Sequence, residues 1–257
     1  MKKFGSVNGF LIAMFAIFGA FMIEGGSMQA LFLAAPLLIV FGGTFAAILI
    51  GFGWEKFVNI FKLIRIAYFP EEYDMIAMID KYYDLALKAR KNGLLPLEDE
   101  IEEIDNFFTK KMLRFMIDGM SAEQLETMSY LEMRALEERH NANINIFNKM
   151  GGYAPTMGIL GTVMALIMTM ASAGSDPNLL IRNIATAFIA TLWGVLSANV
   201  IWLPISDKLR QCHLQEKSMM DLTLEGTLAL LSGEIPIMMR TRLISMLPQR
   251  SQKDLIV

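Results

Sequence analysis

Thr162 and Thr191 carry hydroxyl groups in the middle of two long stretches that hold no charge. Residues 150–175 and 183–206 contain no Asp, Glu, Lys or Arg, yet Pro155, Thr156, Thr162, Thr186, Thr191, Asn199 and Pro204 sit within them. Each stretch is long enough to cross a bilayer, which takes roughly 20 apolar residues. Polar groups there must face other protein or a wet pathway, because lipid cannot satisfy them. Gly158 precedes Thr162 by four residues, which puts both on one helical face. Hydroxyl and carbonyl oxygens suit Na⁺, or ordered water that carries protons. They do not bind and release a proton at physiological pH; membrane carboxylates do that, and these stretches have none. A membrane threonine also often does no more than bond the carbonyl four residues back. If these hydroxyls line an ion path, the titrating carboxylate comes from another protein.

Pro155 removes the backbone donor that would bond the Gly151 carbonyl. With Gly151-Gly152 before it and Thr156 beside it, it reads as a flexible point at a gated cytoplasmic vestibule. Pro204 reads either as a kink near a helix end or as a second such point. Arg90 and Glu98 flank the turn Asn92-Gly93-Leu94-Leu95-Pro96; they are two solvated charges or an electrostatic docking surface.

The elements that position these residues follow from hydropathy. The chain is 54% hydrophobic, too apolar for an ordinary soluble domain. Two further uncharged runs, 4–23 and 25–54, flank Glu24. Lys2 and Lys3 give the first run a basic start, but its apolar core is long for a signal peptide and no convincing cleavage site precedes Glu24. The expectation is therefore an all-α integral membrane protein with four transmembrane helices in two hairpins, a large helical cytoplasmic domain and cytoplasmic C-terminal helices. Its segments are a first hairpin (1–54), a cytoplasmic domain (55–149), a second hairpin (150–206) and a C-terminal part (207–257). Lys2, Lys3, Lys56, Lys62, Arg65, Arg139, Lys149, Lys208 and Arg210 fall on one side of these spans. The opposite loops hold Glu24, and Asp176 with Arg182. Both termini are thus expected in the cytoplasm.

Local signals divide the cytoplasmic parts. Pro70 with Glu71-Glu72 marks a helix start, and Asn92-Gly93 a stop. Pro96 opens an acidic helix. Ser121 and Gln124 form a capping box for a long helix from about Ala122 into the third span, with Leu125, Met128, Leu131 and Ala135 on its buried face. Ala190, Gly194 and Ala198 make a small-residue face for close helix packing, as do Gly42-Gly43, Ala46-Ala47 and Gly51 in the second span. The fourth helix continues past Pro204 to about Ser232, Gly233 ends it, and a short basic helix runs from Pro236 until Pro248 stops it. Single Cys212 excludes an internal disulfide framework, His140 and His213 have no ligand-like spacing, and nucleotide, redox and hydrolase motifs are absent. Neither an enzyme nor a nucleic-acid-binding protein is expected, and no cofactor.

The blocks Leu37-Leu-Ile-Val-Phe-Gly-Gly-Thr44, Ala89-Arg-Lys-Asn-Gly-Leu-Leu-Pro-Leu-Glu98, Gly151-Gly-Tyr-Ala-Pro-Thr-Met-Gly-Ile-Leu-Gly-Thr162, Ala187-Phe-Ile-Ala-Thr-Leu-Trp-Gly194 and Glu225-Gly-Thr-Leu-Ala-Leu-Leu-Ser-Gly233 resemble the MotA family of flagellar stator subunits over nearly the full length. The resemblance implies a ring of five subunits in the bacterial inner membrane around two MotB-like partners. Those partners supply a membrane aspartate and a peptidoglycan anchor. Ion flow, of H⁺ or Na⁺, turns the ring against the rotor protein FliG and so serves motility and chemotaxis. It implies rotor contact for Arg90 and Glu98, conformational roles for Pro155 and Pro204, and an ion path along Thr156, Thr162 and Thr191. Pro96, Lys91-Asn92, Ala165 and Trp193 depart from the family's usual residues. Thr162 resembles the sodium-driven PomA branch, whereas Ala190 stands where that branch has a further threonine, so the ion stays open. The alternative is an ExbB- or TolQ-like energy transducer, against which the N-terminal hairpin argues.

Overall fold

The computed structural model describes residues 5–171 and 177–253. Lys2, Lys3 and Asp176, used above for orientation, lie outside them. Every regular element among the described residues is helical. Four stretches there are long and apolar enough to cross a membrane: Gly5–Ile23, Ala34–Tyr68, Ala122–Ala171 and Pro177–Leu231. The chain is an all-α membrane protein, as its sequence implies. It divides into two compact units, each discontinuous: Met1–Glu71 with His140–Cys212, and Glu72–Arg139 with His213–Val257.

In the first unit, α1 (Gly5–Ile23) ends at a turn where Gly25 adopts φ +83°. Two single turns follow, α2 (Met28–Leu31) and α3 (Ala34–Leu37), then a π turn over Leu38–Gly42 and α4 (Gly43–Tyr68). Gly53, at φ +78°, breaks α4 beside Trp54, where the uncharged run ends. Helix α8 (Ala122–Ala171) is 50 residues long. Helix α9 (Pro177–Leu196) runs through a second π turn, Ser197–Trp202, into α10 (Leu203–Leu231). Pro204 explains that second π turn. A proline ring crowds the carbonyl four residues back, here that of Val200, and a widened turn moves it aside. In the first π turn the buried Thr44 hydroxyl donates to the Val40 carbonyl at 2.6 Å, which gives that acceptor a second partner. Ile48, Phe147, Met150, Ala154, Ala198 and Trp202 share one core cluster; α1 contributes only Phe18 to the buried set.

In the second unit α5 (Met75–Asn92) starts five residues later than the Pro70 signal suggests. Asp74 is its N-cap, accepting from the Ile76 and Ala77 amides at 3.1 and 3.0 Å. A carboxylate that satisfies two orphan amides outcompetes a proline that satisfies none. Gly93, at φ +82°, ends the helix as expected. A 3₁₀ turn, Leu95–Leu97, leads into α6 (Glu98–Glu102), and Asn106 caps α7 (Phe107–Ile117). The capping box of α8 is reciprocal: the Ser121 amide donates to Gln124 Oε1 at 2.9 Å and the Gln124 amide to Ser121 Oγ at 3.3 Å. The buried face of its first turns is Leu125, Ser129 and Met133, whereas Leu131 and Ala135 are exposed. At 100° per residue Leu131 lies roughly 120° round the helix from Leu125, and Ser129 takes its place by donating to Met112 Sδ at 3.1 Å. Gly233 ends α10, and α11 (Pro236–Ser245) packs on α5. Pro248 also opens a short α12 (Gln249–Lys253), its carbonyl accepting from the Ser251 amide at 2.9 Å.

Tyr82 is the centre of this second unit. Its hydroxyl donates to the Thr223 carbonyl at 3.1 Å and lies 3.0 Å from Thr227 Oγ1, while Thr223 Oγ1 lies 2.8 Å from Thr109 Oγ1. Burial pushes the phenol far above its ordinary pKa. Gly226 makes room for the ring: a Cβ there would fall 2.8 Å from it. Tyr82→Phe removes the phenol's bond while the Thr227 hydroxyl goes on donating to the Thr223 carbonyl at 2.8 Å, so it is expected to cost about 0.5–1.5 kcal/mol, the net worth of one hydrogen bond. A lowered unfolding midpoint in detergent, with the helical circular dichroism unchanged before the transition, checks this.

Candidate ion-path wall and docking surface

Helices α8 and α9 approach so closely that neither has room for a side chain at the crossing. A Cβ on Gly158 would lie 2.8 Å from the Ala190 carbonyl oxygen and 3.3 Å from the Cα atoms of Gly194 and Thr191. A Cβ on Gly194 would lie 2.8 Å from the Ala154 carbonyl oxygen and 3.2 Å from the Pro155 Cα. One turn along, Gly161 meets the Ala190 methyl. The small-residue face of Ala190, Gly194 and Ala198 is therefore buried as its spacing suggests, against the Gly158 face of α8.

That approach brings two of the three threonines together. Thr162 Oγ1 lies 2.7 Å from Thr191 Oγ1, 3.1 Å from the Gly158 carbonyl and 3.2 Å from the Ala187 carbonyl. With one proton on each hydroxyl, Thr191 donates to Thr162 and Thr162 to a carbonyl. The remaining lone pairs form a small, neutral, oxygen-lined patch. Thr156 is not part of it: exposed, it donates to the Tyr153 carbonyl of its own helix at 2.8 Å. Thr186 and Asn199 likewise bond carbonyls four residues back. Thr156, Thr186 and Asn199 thus bond carbonyls of their own helix, whereas Thr162 bonds both the Gly158 carbonyl, on the face they share, and Thr191 across the crossing.

Pro155 lies in the crossing, and α8 passes through it as one unbroken helix. Its ring leaves the Gly151 carbonyl without a backbone donor, and Leu203, the neighbour of Pro204, fills the space beside Gly151. Pro204 itself is exposed. Trp193, noted in the sequence only as a departure from the family's usual residue, fixes the other side of α9. The buried Trp193 indole donates to the Leu31 carbonyl at 2.8 Å, and its ring sits 5.3–6.2 Å from those of Phe18, Phe32 and Phe41. Leu31 ends α2, so this bond satisfies a carbonyl that the broken helix leaves open.

In the second unit Arg90 and Glu98 are both exposed on either side of the Gly93 turn. Around them Lys88 pairs with Glu100 at 2.6 Å, and Glu102 pairs with Lys110 and Arg114. Arg114 and Lys110 hold the Glu102 carboxyl below the usual range. Among the described residues Arg90 and Glu98 have no ion-pair partner, and the same is true of Lys91 and Asp99. These four charges are exposed, with Leu95, 74% exposed, between them.

The sequence model of the motility protein A N-terminal region matches residues 7–93, and that of the MotA/TolQ/ExbB proton channel family matches residues 100–221. Motility protein A of Bacillus subtilis is 33% identical over 248 residues, 96% of this chain and 92% of that protein. Motility protein A of Treponema pallidum is 33% identical over 98% of this chain and 95% of its own. The chain belongs to the motility protein A branch of the MotA/TolQ/ExbB family. The flagellar MotAB stator complex of Bacillus subtilis contains a chain of the same fold, with TM-score 0.91 and 32% identity over 98% of both chains. In this MotA-type chain the glycine crossing offers the sharpest test. Gly194→Ala puts a methyl against a carbonyl that moves only with its helix, at about 1–3 kcal/mol of overpacking. It is expected to abolish swimming while the protein is still inserted. Gly19→Ala, whose Cβ meets nothing within 4 Å, is expected to swim normally.

Proposed function

We propose that this chain is the ring-forming subunit of a flagellar stator, working with a MotB-like partner to convert transmembrane flow of H⁺ or Na⁺ into rotation of the rotor. The observation that carries the reading is the Thr162–Thr191 pair: an oxygen-lined patch in a membrane unit whose third and fourth spans hold no titratable carboxylate. Such a wall stabilises an ion or a protonated acid in passing and releases it, but cannot itself take up the proton. A MotB-like helix supplies the aspartate, and its peptidoglycan anchor holds that helix still. Family membership, and the match of residues 7–93 to the motility protein A N-terminal region, support a stator rather than an ExbB- or TolQ-like transducer.

Five subunits surround two MotB-like helices in the inner membrane, with both termini and the Tyr82 unit in the cytoplasm. The exposed apolar faces of α8 and α9, with Ile167, Met170 and Phe188 each more than 60% exposed, are the surfaces that neighbours, partner and lipid cover. Pro155, in the crossing, and Pro204, beside the widened turn, let α8 and α9 shift as each subunit meets the aspartate. FliG docks on Arg90 and Glu98.

Two outcomes are expected. Deleting this gene together with the MotB-like gene should abolish rotation but not flagella, and only the two genes restored together should bring rotation back. Rescue without that partner would contradict the reading. Arg90→Glu or Glu98→Lys should lower motor torque severalfold while the complex still co-purifies with its MotB-like partner. Loss of the complex itself would instead assign these charges to assembly.

A further inference from the structure

A cleft of about 250 Å³ opens on the first unit between α1, the end of α4 and the α9–α10 junction. Its walls are of two kinds. Gly9 and Phe10 of α1 are on its apolar side, and Ser6, Tyr68, Asn199 and Lys208 are its polar lining residues. Gly9 carries no side chain into it: a Cβ there would meet nothing within 4 Å. Lys208 is half-buried and, among the described residues, its ammonium has no acidic partner. Asn199 uses one amide N–H on the Val195 carbonyl at 2.9 Å and keeps the other. A half-buried cation that shares a cleft with hydroxyl and amide donors is matched by an anion. The apolar wall directly adjoining it is matched by hydrocarbon.

One molecule joins those two chemistries where a span leaves the membrane. Lys208 follows the uncharged run 183–206 by two residues, so it sits at headgroup level. We infer that this cleft binds an anionic phospholipid of the cytoplasmic leaflet, with its phosphate on Lys208 and an acyl chain along Gly9 and Phe10. The inference rests on the orientation in the proposed function, which puts Lys208 at the cytoplasmic face. The bound lipid would brace α1, which contributes only Phe18 to the buried set, against the widened turn before Pro204.

The test uses the full chain purified with its MotB-like partner, delipidated in mild detergent and then offered phosphatidylglycerol, phosphatidylethanolamine or glycerol phosphate, with retention read by native mass spectrometry. Phosphatidylglycerol should be retained in preference to phosphatidylethanolamine, and glycerol phosphate not retained. Lys208→Gln should reduce phosphatidylglycerol retention about fivefold, the effect of removing one interfacial lysine, and Lys208→Arg should restore it. Gly9→Leu, which fills the apolar end without touching the charge, should reduce retention of both lipids. Equal retention by wild type, Lys208→Gln and Gly9→Leu would overturn the site. So would a disulfide from Gly9→Cys to a neighbouring copy, which would make the cleft a subunit contact. Orientation is read separately. Labelling of Lys208→Cys, in a Cys212→Ser chain, by an impermeant maleimide added outside intact spheroplasts would sink the topology; lost retention with no outside labelling would not.

Discussion

The membrane unit depends on the contact of two glycines. Hydrocarbon gives packed helices no advantage in burying leucine, so association there rests on backbone approach and on polar bonds between helices. Gly158 and Gly194 provide the first and Thr162–Thr191 the second. They are coupled, since the hydroxyls meet only because the backbones do. Around them the Gly161–Ala190 and Gly151–Leu203 contacts extend the seam, and the Trp193–Leu31 bond ties its α9 side to the broken helices α2 and α3.

A neutral wall has a mechanical consequence. A fixed carboxylate at this depth would hold a cation or a proton strongly in low dielectric and make each release slow. A hydroxyl pair whose protons are already committed to Gly158, Ala187 or each other offers only lone pairs, a shallow well that an ion leaves easily. Under the proposed function, placing the titratable group on a partner would let several identical walls share one charge in turn, as a rotating ring requires. The second unit contrasts with this. Its Tyr82–Thr223–Thr109 hydroxyl network ties α5, α7 and α10 together, and Arg90 and Glu98 stand exposed at one turn.

What was legible in the sequence follows from how local the cause is. The four apolar spans, the capping box at Ser121, the stop at Gly93 and the small-residue face of α9 are set by neighbours within one or two turns, and each is found where its residues suggest. Pro70 misled because Asp74, four residues on, offers the amides a better acceptor. Leu131 misled because Ser129 turns inward to a sulfur on another helix, a partner that no periodicity reveals. The two π turns and the Trp193–Leu31 bond were not legible either. The indole bond answers to a carbonyl left open by a helix break far off in the chain, while the π turn before Pro204 comes from that proline's ring, which hydrophobic periodicity does not register. Of the three candidate threonines, spacing alone did not separate the self-bonded Thr156 from the pair that meets across the seam.

The central claim is that Thr162 and Thr191 act as one site because the glycine crossing joins them. A double-mutant cycle on motor torque, with Thr162→Val, Thr191→Val and both together in otherwise intact stators, tests it most directly. If the two hydroxyls form one wall, either change removes it and the double variant loses little more torque than the worse single one. Losses that multiply, each residue costing the same whether or not the other is present, would show two independent positions and contradict the account.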